Sequence, residues 1–222
     1  MTQIIKTGDW SVPQAQILDR ALSAAQENNH KLPFEILGMA GMSGQKYRML
    51  INRLIEYTPD ARYLEIGSWR GSTACSAAYD NKVKVTCIDS WNEEESIMAD
   101  FLSNVKRFMT EGVTFHYDHS DFYKVDYNNI GKYNVYMFDG PHGKTDQYEG
   151  IKLVQAALDN TFTLIVDDYN APQVKEGTEQ AIHDLKLNVL ASVTIQTNSN
   201  PYTKVTDWHN GYYIAVIKKD QQ

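Results

Sequence analysis

Cysteine is scarce in this 222-residue chain: Cys75 and Cys87 are the only two, and their spacing is not that of a metal knuckle. Both fall in segments that read as regular structure, which predicts buried thiols in a reducing compartment rather than a disulfide framework. Positive charge is also short. Acidic residues outnumber basic ones, 28 to 21, for a formal net charge of -7. That argues against a nucleic-acid or anionic-membrane partner, because both demand a basic surface. No apolar run approaches the roughly 20 residues of a membrane span, and Met1-Thr2-Gln3-Ile4-Ile5-Lys6 lacks the apolar stretch of a signal peptide. The expectation is a soluble, cytoplasmic protein with neither a nucleic-acid nor a membrane partner. Internal repeats and low-complexity segments are absent too, and the length suits one domain with a short extension.

What is present is a change of period along the chain. Residues up to about Tyr57 read as helical, because Leu18, Leu22 and Ala25, and then Tyr47, Leu50, Ile51, Leu54 and Ile55, recur at helical spacing. Between them lies Gly38-Met39-Ala40-Gly41-Met42-Ser43-Gly44, either a lid over a ligand or an ordinary interhelical connection. This N-terminal helical extension, residues 1–57, is read as a lid or a dimerisation surface, so a homo-oligomer stays open. From residue 58 on, strands and helices alternate. Strand-like runs are Tyr63–Ile66, Lys84–Ile88, Val113–His116, Val135–Phe138 and Thr161–Val166, with helical stripes between them such as Ile97, Phe101, Val105 and Phe108. Val189–Gln196 and Gly211–Ile217 follow with no helix between, so they should pair antiparallel. The predicted fold is α/β: a Rossmann-like doubly wound sheet, mostly parallel, with an antiparallel C-terminal strand pair.

Open parallel sheets bind ligands beyond the carboxyl ends of their strands, and this chain punctuates those ends with acids. The first strand runs into Tyr63-Leu64-Glu65-Ile66-Gly67-Ser68-Trp69-Arg70-Gly71-Ser72-Thr73. Its glycines permit the sharp turn that hands a nucleotide-like ligand to a helix N-terminus. Asp89 ends the second strand, roughly 20 residues on, where a carboxylate is placed to take ribose hydroxyls. Ser120-Asp121 follows the third strand, as an adenine contact or as an N-cap. Asp139 ends the fourth and Asp167-Asp168 the fifth, two strands expected side by side. Three converging carboxylates repel one another, and a hard divalent cation such as Mg²⁺ would offset their charge. His142, past a Gly-Pro turn, is a candidate general base. Lys144 is a second candidate, although a lysine needs burial or positive neighbours to lose its proton. Trp69, Arg70, Trp91 and His119 are candidates for lining the ligand site, Arg70 either on the ligand or on an acid of the protein. Tyr169, Trp208 and Tyr212 are candidates for an aromatic acceptor pocket, or for core packing.

Glu65-x-Gly67-x-x-x-Gly71, Asp89 and the two closing β-runs resemble class I S-adenosylmethionine-dependent methyltransferases, from about Leu54 to Lys219. Within them, Asp139 with Asp167-Asp168 resembles the metal-dependent small-molecule O-methyltransferases. Catechol-type members carry an Asp-Asn pair after the fifth strand. Macrolide-sugar members carry an Asp-Asp pair and a histidine base three residues after the strand-four aspartate, which Asp139-Gly140-Pro141-His142 and Asp167-Asp168 look more like. The resemblance implies that Glu65, Gly67 and Gly71, with Ser68, Ser72 and Thr73, surround the methionine part of S-adenosylmethionine. It sets Asp89 on the ribose with Ser90 and Trp91 beside it, and Ser120 and Asp121 on the adenine side. Asp139, Asp167 and Asp168 would hold Mg²⁺, Asp139 also bordering the cofactor, with His142 as base. The implied activity is methyl transfer to a hydroxyl of a small molecule: a sugar, catechol or polyketide-like acceptor. Ser68, Trp69 and Arg70 depart from the glycine-rich interior common in the superfamily motif.

Two other readings compete. A nicotinamide-dependent oxidoreductase would usually show Gly-x-Gly-x-x-Gly, absent here, and has no use for the Asp139/Asp167/Asp168 cluster. A non-catalytic S-adenosylmethionine-binding accessory protein would keep the fold without needing the metal and base positions.

Overall fold

The computed structural model describes residues 2–198 and 206–220. Its elements run β1 (Gln3–Gly8), α1 (Pro13–Gln26), α2 (Phe34–Leu37), α3 (Gln45–Tyr57), β2 (Arg62–Ile66), α4 (Ser72–Ala78), β3 (Val83–Asp89), α5 (Glu95–Phe108), β4 (Val113–His119), β5 (Tyr133–Phe138), α6 (Lys144–Leu153), β6 (Leu158–Val166), α7 (Pro172–Asp184), β7 (Leu187–Gln196) and β8 (Tyr212–Lys219). The eight strands form one sheet in the order β1-β7-β8-β6-β5-β2-β3-β4. The block from β6 to β4 is parallel. β8 enters antiparallel between β6 and β7. The mostly parallel sheet with its antiparallel C-terminal pair is the architecture that the strand–helix alternation predicts.

One element departs from that reading. The first residues are not helical: Gln3–Gly8 pairs antiparallel with β7, from Gln3 opposite Gln196 to Gly8 opposite Ala191, and extends the sheet by a strand. Six residues carry too few side chains to show a period, and their conformation is set by the edge of β7 they pair with.

Strand alternation divides the core in two. Tyr63, Val85, Val135, Met137 and Ile165 face the side covered by α1, α3, α4 and α5. Leu64, Ile66, Ile88, Tyr136, Phe138, Leu164 and Val166 face the side of α6 and α7. The stripes expected on α1 and α3 are the buried faces of those helices, and each fully buried leucine or isoleucine contributes roughly 1.5–3 kcal/mol. Cys75 and Cys87 are free and buried, as expected. No described helix is long and apolar enough to cross a membrane.

Arg48 of α3 is buried, and among the described residues no carboxylate bonds to it. Its Nη1 donates to the carbonyls of Ile36 (2.9 Å), Leu37 (3.1 Å) and Met39 (2.8 Å), and its Nε to Ser43 Oγ (3.0 Å). Ser43 Oγ lies 3.3 Å from Ser72 Oγ at the start of α4. The Gly38–Gly44 segment is thus tied to the body of the protein. Met42, at its outer turn, is 58% exposed.

Candidate active site

The strand order reverses at β2, which has β3 on one side and β5 on the other. Ligands of open α/β sheets collect outside the carboxyl ends at such a point. A cleft of about 480 Å³ opens there.

One wall is made by the turns after β2 and β3. Gly67 has φ +87°, and a Cβ on it would lie 1.9 Å from the carbonyl oxygen of Asp139, so the crossing of the two chains admits only glycine. Asp89 joins the two turns. One carboxylate oxygen accepts the Trp69 N–H and the other the Trp91 N–H, each at 2.8 Å. Trp91 Nε1 returns a bond to the Trp69 carbonyl (2.7 Å). Trp69 (φ +45°) and Trp91 (φ +42°) are both left-handed, a conformation that bulky side chains resist. Asp89 is therefore held by backbone on both oxygens, with its remaining lone pairs available to a ligand.

Of the residues the sequence singles out, Gly67, Trp69, Asp89, Ser90, Trp91, Ser120, Asp121, Asp139 and His142 line this cleft. Asp121 also caps the short turn after β4, accepting the Tyr123 N–H (3.0 Å). Glu65, Ser68, Ser72 and Thr73 do not line it; they are buried beneath the turn. Gly71 (φ +82°) packs against Phe101. Glu65 accepts the Tyr63 hydroxyl at 2.5 Å. Burial pushes its carboxyl up to about 7. Arg70 pairs with Asp100, an acid of the protein. His119 turns its Nε2 to the Ser90 carbonyl (2.7 Å). Met42, from the Gly38–Gly44 segment, also lines the cleft, and the sequence missed Asn92, Glu93 and Tyr123.

The opposite wall comes from β5 and β6. Phe138 and Val166 are register partners, which brings the next residues of both strands together. Alternation then decides which acids meet. Asp167 is buried, 3% exposed, hydrogen-bonds the Asp139 side chain and accepts the Asp168 N–H at 2.8 Å. Asp168 escapes because its φ is +53°, which turns its side chain outward. Among the described residues, the donors gathered within 4.8 Å are Asp139, Asp168 and His142, while Asp167, the third carboxylate expected there, lies beside them, bonded to Asp139. His142 Nε2 lies 2.9 Å from Asp168 and 3.6 Å from Asp139. Hydrogen bonding to Asp139 and then to Asp168 raises the imidazole to about 10. Burial raises Asp139 to about 6 and Asp167 well above the carboxylate range. Burial also pushes Asp168 upward, but bonds from His142 and Asn210 outweigh it and leave Asp168 low. Lys144 is not drawn into this cluster and pairs with Glu176 at 3.2 Å.

The aromatic acceptor wall is not formed. Tyr212 stacks on Tyr47 at 4.2 Å, Tyr169 stacks on Tyr213 at 4.9 Å, and Trp208 is buried. These rings serve packing.

Residues 64–169 match the family model described as a methyltransferase domain. No curated protein matches the sequence. Among solved structures, the chain is similar to the S-adenosylhomocysteine-bound methyltransferase PaMTH1 of Podospora anserina, with 14% identity and TM-score 0.65 over 96% of this chain and 100% of that one. It is similar to the O-methyltransferase TomG of Streptomyces achromogenes, solved with S-adenosylmethionine, at 17% identity and TM-score 0.55, over 91% of this chain and 90% of that one. It also resembles TrmN of Thermus thermophilus, at 13% identity and TM-score 0.58, over 84% of this chain but 52% of TrmN, so it spans about half the length of that protein. The chain thus shares the fold of these methyltransferases.

Proposed function

We propose that this chain transfers the methyl group of S-adenosylmethionine to a hydroxyl of a small molecule, with a divalent cation at Asp139 and Asp168. The observation that carries the reading is the placement of two built walls on one cleft: Asp89 fixed by backbone on one side, and the Asp139–His142–Asp168 cluster on the other. Glycine at position 67 lets the backbone pass close to the donor, and Asp89 offers lone pairs to its ribose. Asp121 borders the cleft at the end of β4, on the adenine side.

The donor set fits a hard cation. Two carboxylates and an imidazole converge, and their negative charge is met by His142, with His209 also acting on Asp168. Such a cation would replace the imidazolium as counter-charge and lower the pKa of an acceptor hydroxyl. His142 is the proton acceptor of the reaction. Held between two carboxylates it keeps its proton at neutral pH, and it becomes a base once they are otherwise engaged. The acceptor oxygen gives its proton to Nε2 and forms the new O–C bond as the S–C bond breaks, leaving a methyl ether and S-adenosylhomocysteine. Lys144, already paired with Glu176, takes no part.

Calorimetric titration of S-adenosylmethionine, with and without Mg²⁺, tests the reading beside an Asp89→Ala variant. Binding that is lost in the variant supports it. Absence of binding to the wild-type protein under either condition overturns it.

A further inference from the structure

Only glycine enters the left-handed region freely, yet Trp69 and Trp91 both sit in it, at φ +45° and +42°. Something must hold a bulky residue there. At the turn after β2 the holding groups are side chains from elsewhere in the chain. Trp91 Nε1 donates to the Trp69 carbonyl at 2.7 Å, and Asn104 Nδ2 donates to the Arg70 carbonyl at 2.9 Å. Two consecutive carbonyls are thus captured by side-chain donors 22 and 34 residues away.

Asn104 lies on α5, and the rest of that helix reinforces the hold. Asp100, one turn earlier, pairs with the Arg70 guanidinium. Phe101 lies beneath Gly71, where a Cβ would stand 3.0 Å from its ring. The same phenyl ring packs against the Trp91 indole, with centroids 4.6 Å apart. Trp91 is buried, so water competes little for its N–H bond. α5 and the turn after β3 together grip the turn after β2. None of Asp100, Phe101 and Asn104 lines the cleft.

We infer that Trp91 and Asn104 are positioning residues for the methyl donor, acting on Asp89 through the backbone of Trp69 and Arg70. The inference rests on the methyl-transfer reading above. The Trp69 N–H is one of the two that orient the Asp89 carboxylate. Residue 69 keeps that N–H aimed only while its backbone stays left-handed. Without the indole bond, the Trp69 carbonyl is released and the residue relaxes toward the backbone its side chain prefers. The N–H then leaves Asp89, and the carboxylate turns on its remaining partner. A ligand bound by Asp89 must then supply the ordering itself, at a loss of affinity. The Asn104 bond does the same one residue on, by fixing the peptide that joins Arg70 to Gly71.

The test is calorimetric titration of S-adenosylhomocysteine into the whole chain and into Trp91→Phe and Asn104→Leu variants. Phenylalanine keeps a ring against Phe101 and removes the N–H; leucine keeps the bulk of asparagine and removes its donor. Each should weaken binding about tenfold. Trp91→Phe is then repeated on a Trp69→Gly background, whose affinity is lower to begin with. Glycine holds a positive φ without help, so there the added loss should fall below about twofold. Wild-type affinity in both single variants, or an equal Trp91→Phe loss on the two backgrounds, would overturn the positioning role. No uptake by the wild-type protein condemns the methyl-transfer reading itself, whereas uptake indifferent to both substitutions condemns only the positioning role. The ligand-free protein gives an independent readout: the Trp69 amide proton should exchange with solvent about tenfold faster in Trp91→Phe. Unchanged exchange would overturn the hold on residue 69 whatever the ligand.

Discussion

The two walls of the cleft hold their carboxylates by different means. At the ends of β2 and β3, Asp89 is gripped by two backbone N–H groups, and the turns that supply them are themselves held in left-handed conformations. At the ends of β5 and β6, the side chains of Asp139 and Asp168 are held chiefly by the charge of one imidazole. The first wall is preorganised geometry, which recognises a ligand without rearranging. The second is an electrostatic balance that an incoming cation or proton can shift. Geometry binds the donor in this proposal, and movable charge does the chemistry.

Each prediction strikes one wall and asks whether the other notices. Gly67→Ala attacks the crossing of the walls, where a methyl group would meet the Asp139 carbonyl and the backbone would keep φ +87°. A loss of about 4 kcal/mol or more in thermal or urea unfolding is expected, and a variant near wild-type stability would mean that the crossing relaxes freely. Asp168→Ala removes one arm of the charge balance. Metal-dependent turnover should fall by about 10²–10³, or ~3–4 kcal/mol, while S-adenosylmethionine binding by calorimetry stays intact. Loss of that binding would show that the walls are coupled. Asp89→Ala should do the reverse, weakening S-adenosylmethionine by ~2–3 kcal/mol and sparing the slow titration of His142 followed by NMR. That imidazole should stay protonated well above its ordinary range, and added Mg²⁺ should return it toward neutrality.

The smallest effect concerns Glu65, beneath the first wall. Burial raises its folded carboxyl from 4.5 to about 7, while the unfolded chain titrates near the ordinary value. Its contribution to stability is therefore fully present below about pH 4.5 and lost as pH rises through about 7. Glu65→Gln should remove that slope, gaining on wild type by on the order of 2 kcal/mol between about pH 5 and pH 8 in urea melts. A parallel pH dependence in both proteins would assign the slope elsewhere.

Much of the cleft was legible in the chain. Apolar runs ending in acids mark strand ends, and a glycine after the first of them marks a turn that other residues cannot make. That reasoning brings Gly67, Asp89, Ser120, Asp121, Asp139 and His142 to one cleft. Glu65, Ser68, Ser72 and Thr73 lie beneath the turn, because a residue next to a tight turn is as easily under it as on it. Asp167 is buried beside Asp139 while Asp168, at φ +53°, is more exposed, a difference between adjacent acids that the sequence does not carry. Tyr169, Trp208 and Tyr212 were ambiguous because aromatic side chains serve cores and pockets alike.

By itself, the sequence determined what local physics fixes: the strand–helix alternation, the antiparallel close, the buried thiols and the glycine turn. Each follows from side-chain period or backbone freedom within a few residues. Only the tertiary structure decided the rest. Gln3–Gly8 became a strand because the edge of β7 offered it hydrogen bonds. His142 came between Asp139 and Asp168 because β5 and β6 are neighbours in register. Asn104 came to the Arg70 carbonyl because α5 packs against the turn after β2. Those pairings are set by which faces can be buried together, and a stretch of sequence does not carry that information until the chain is folded.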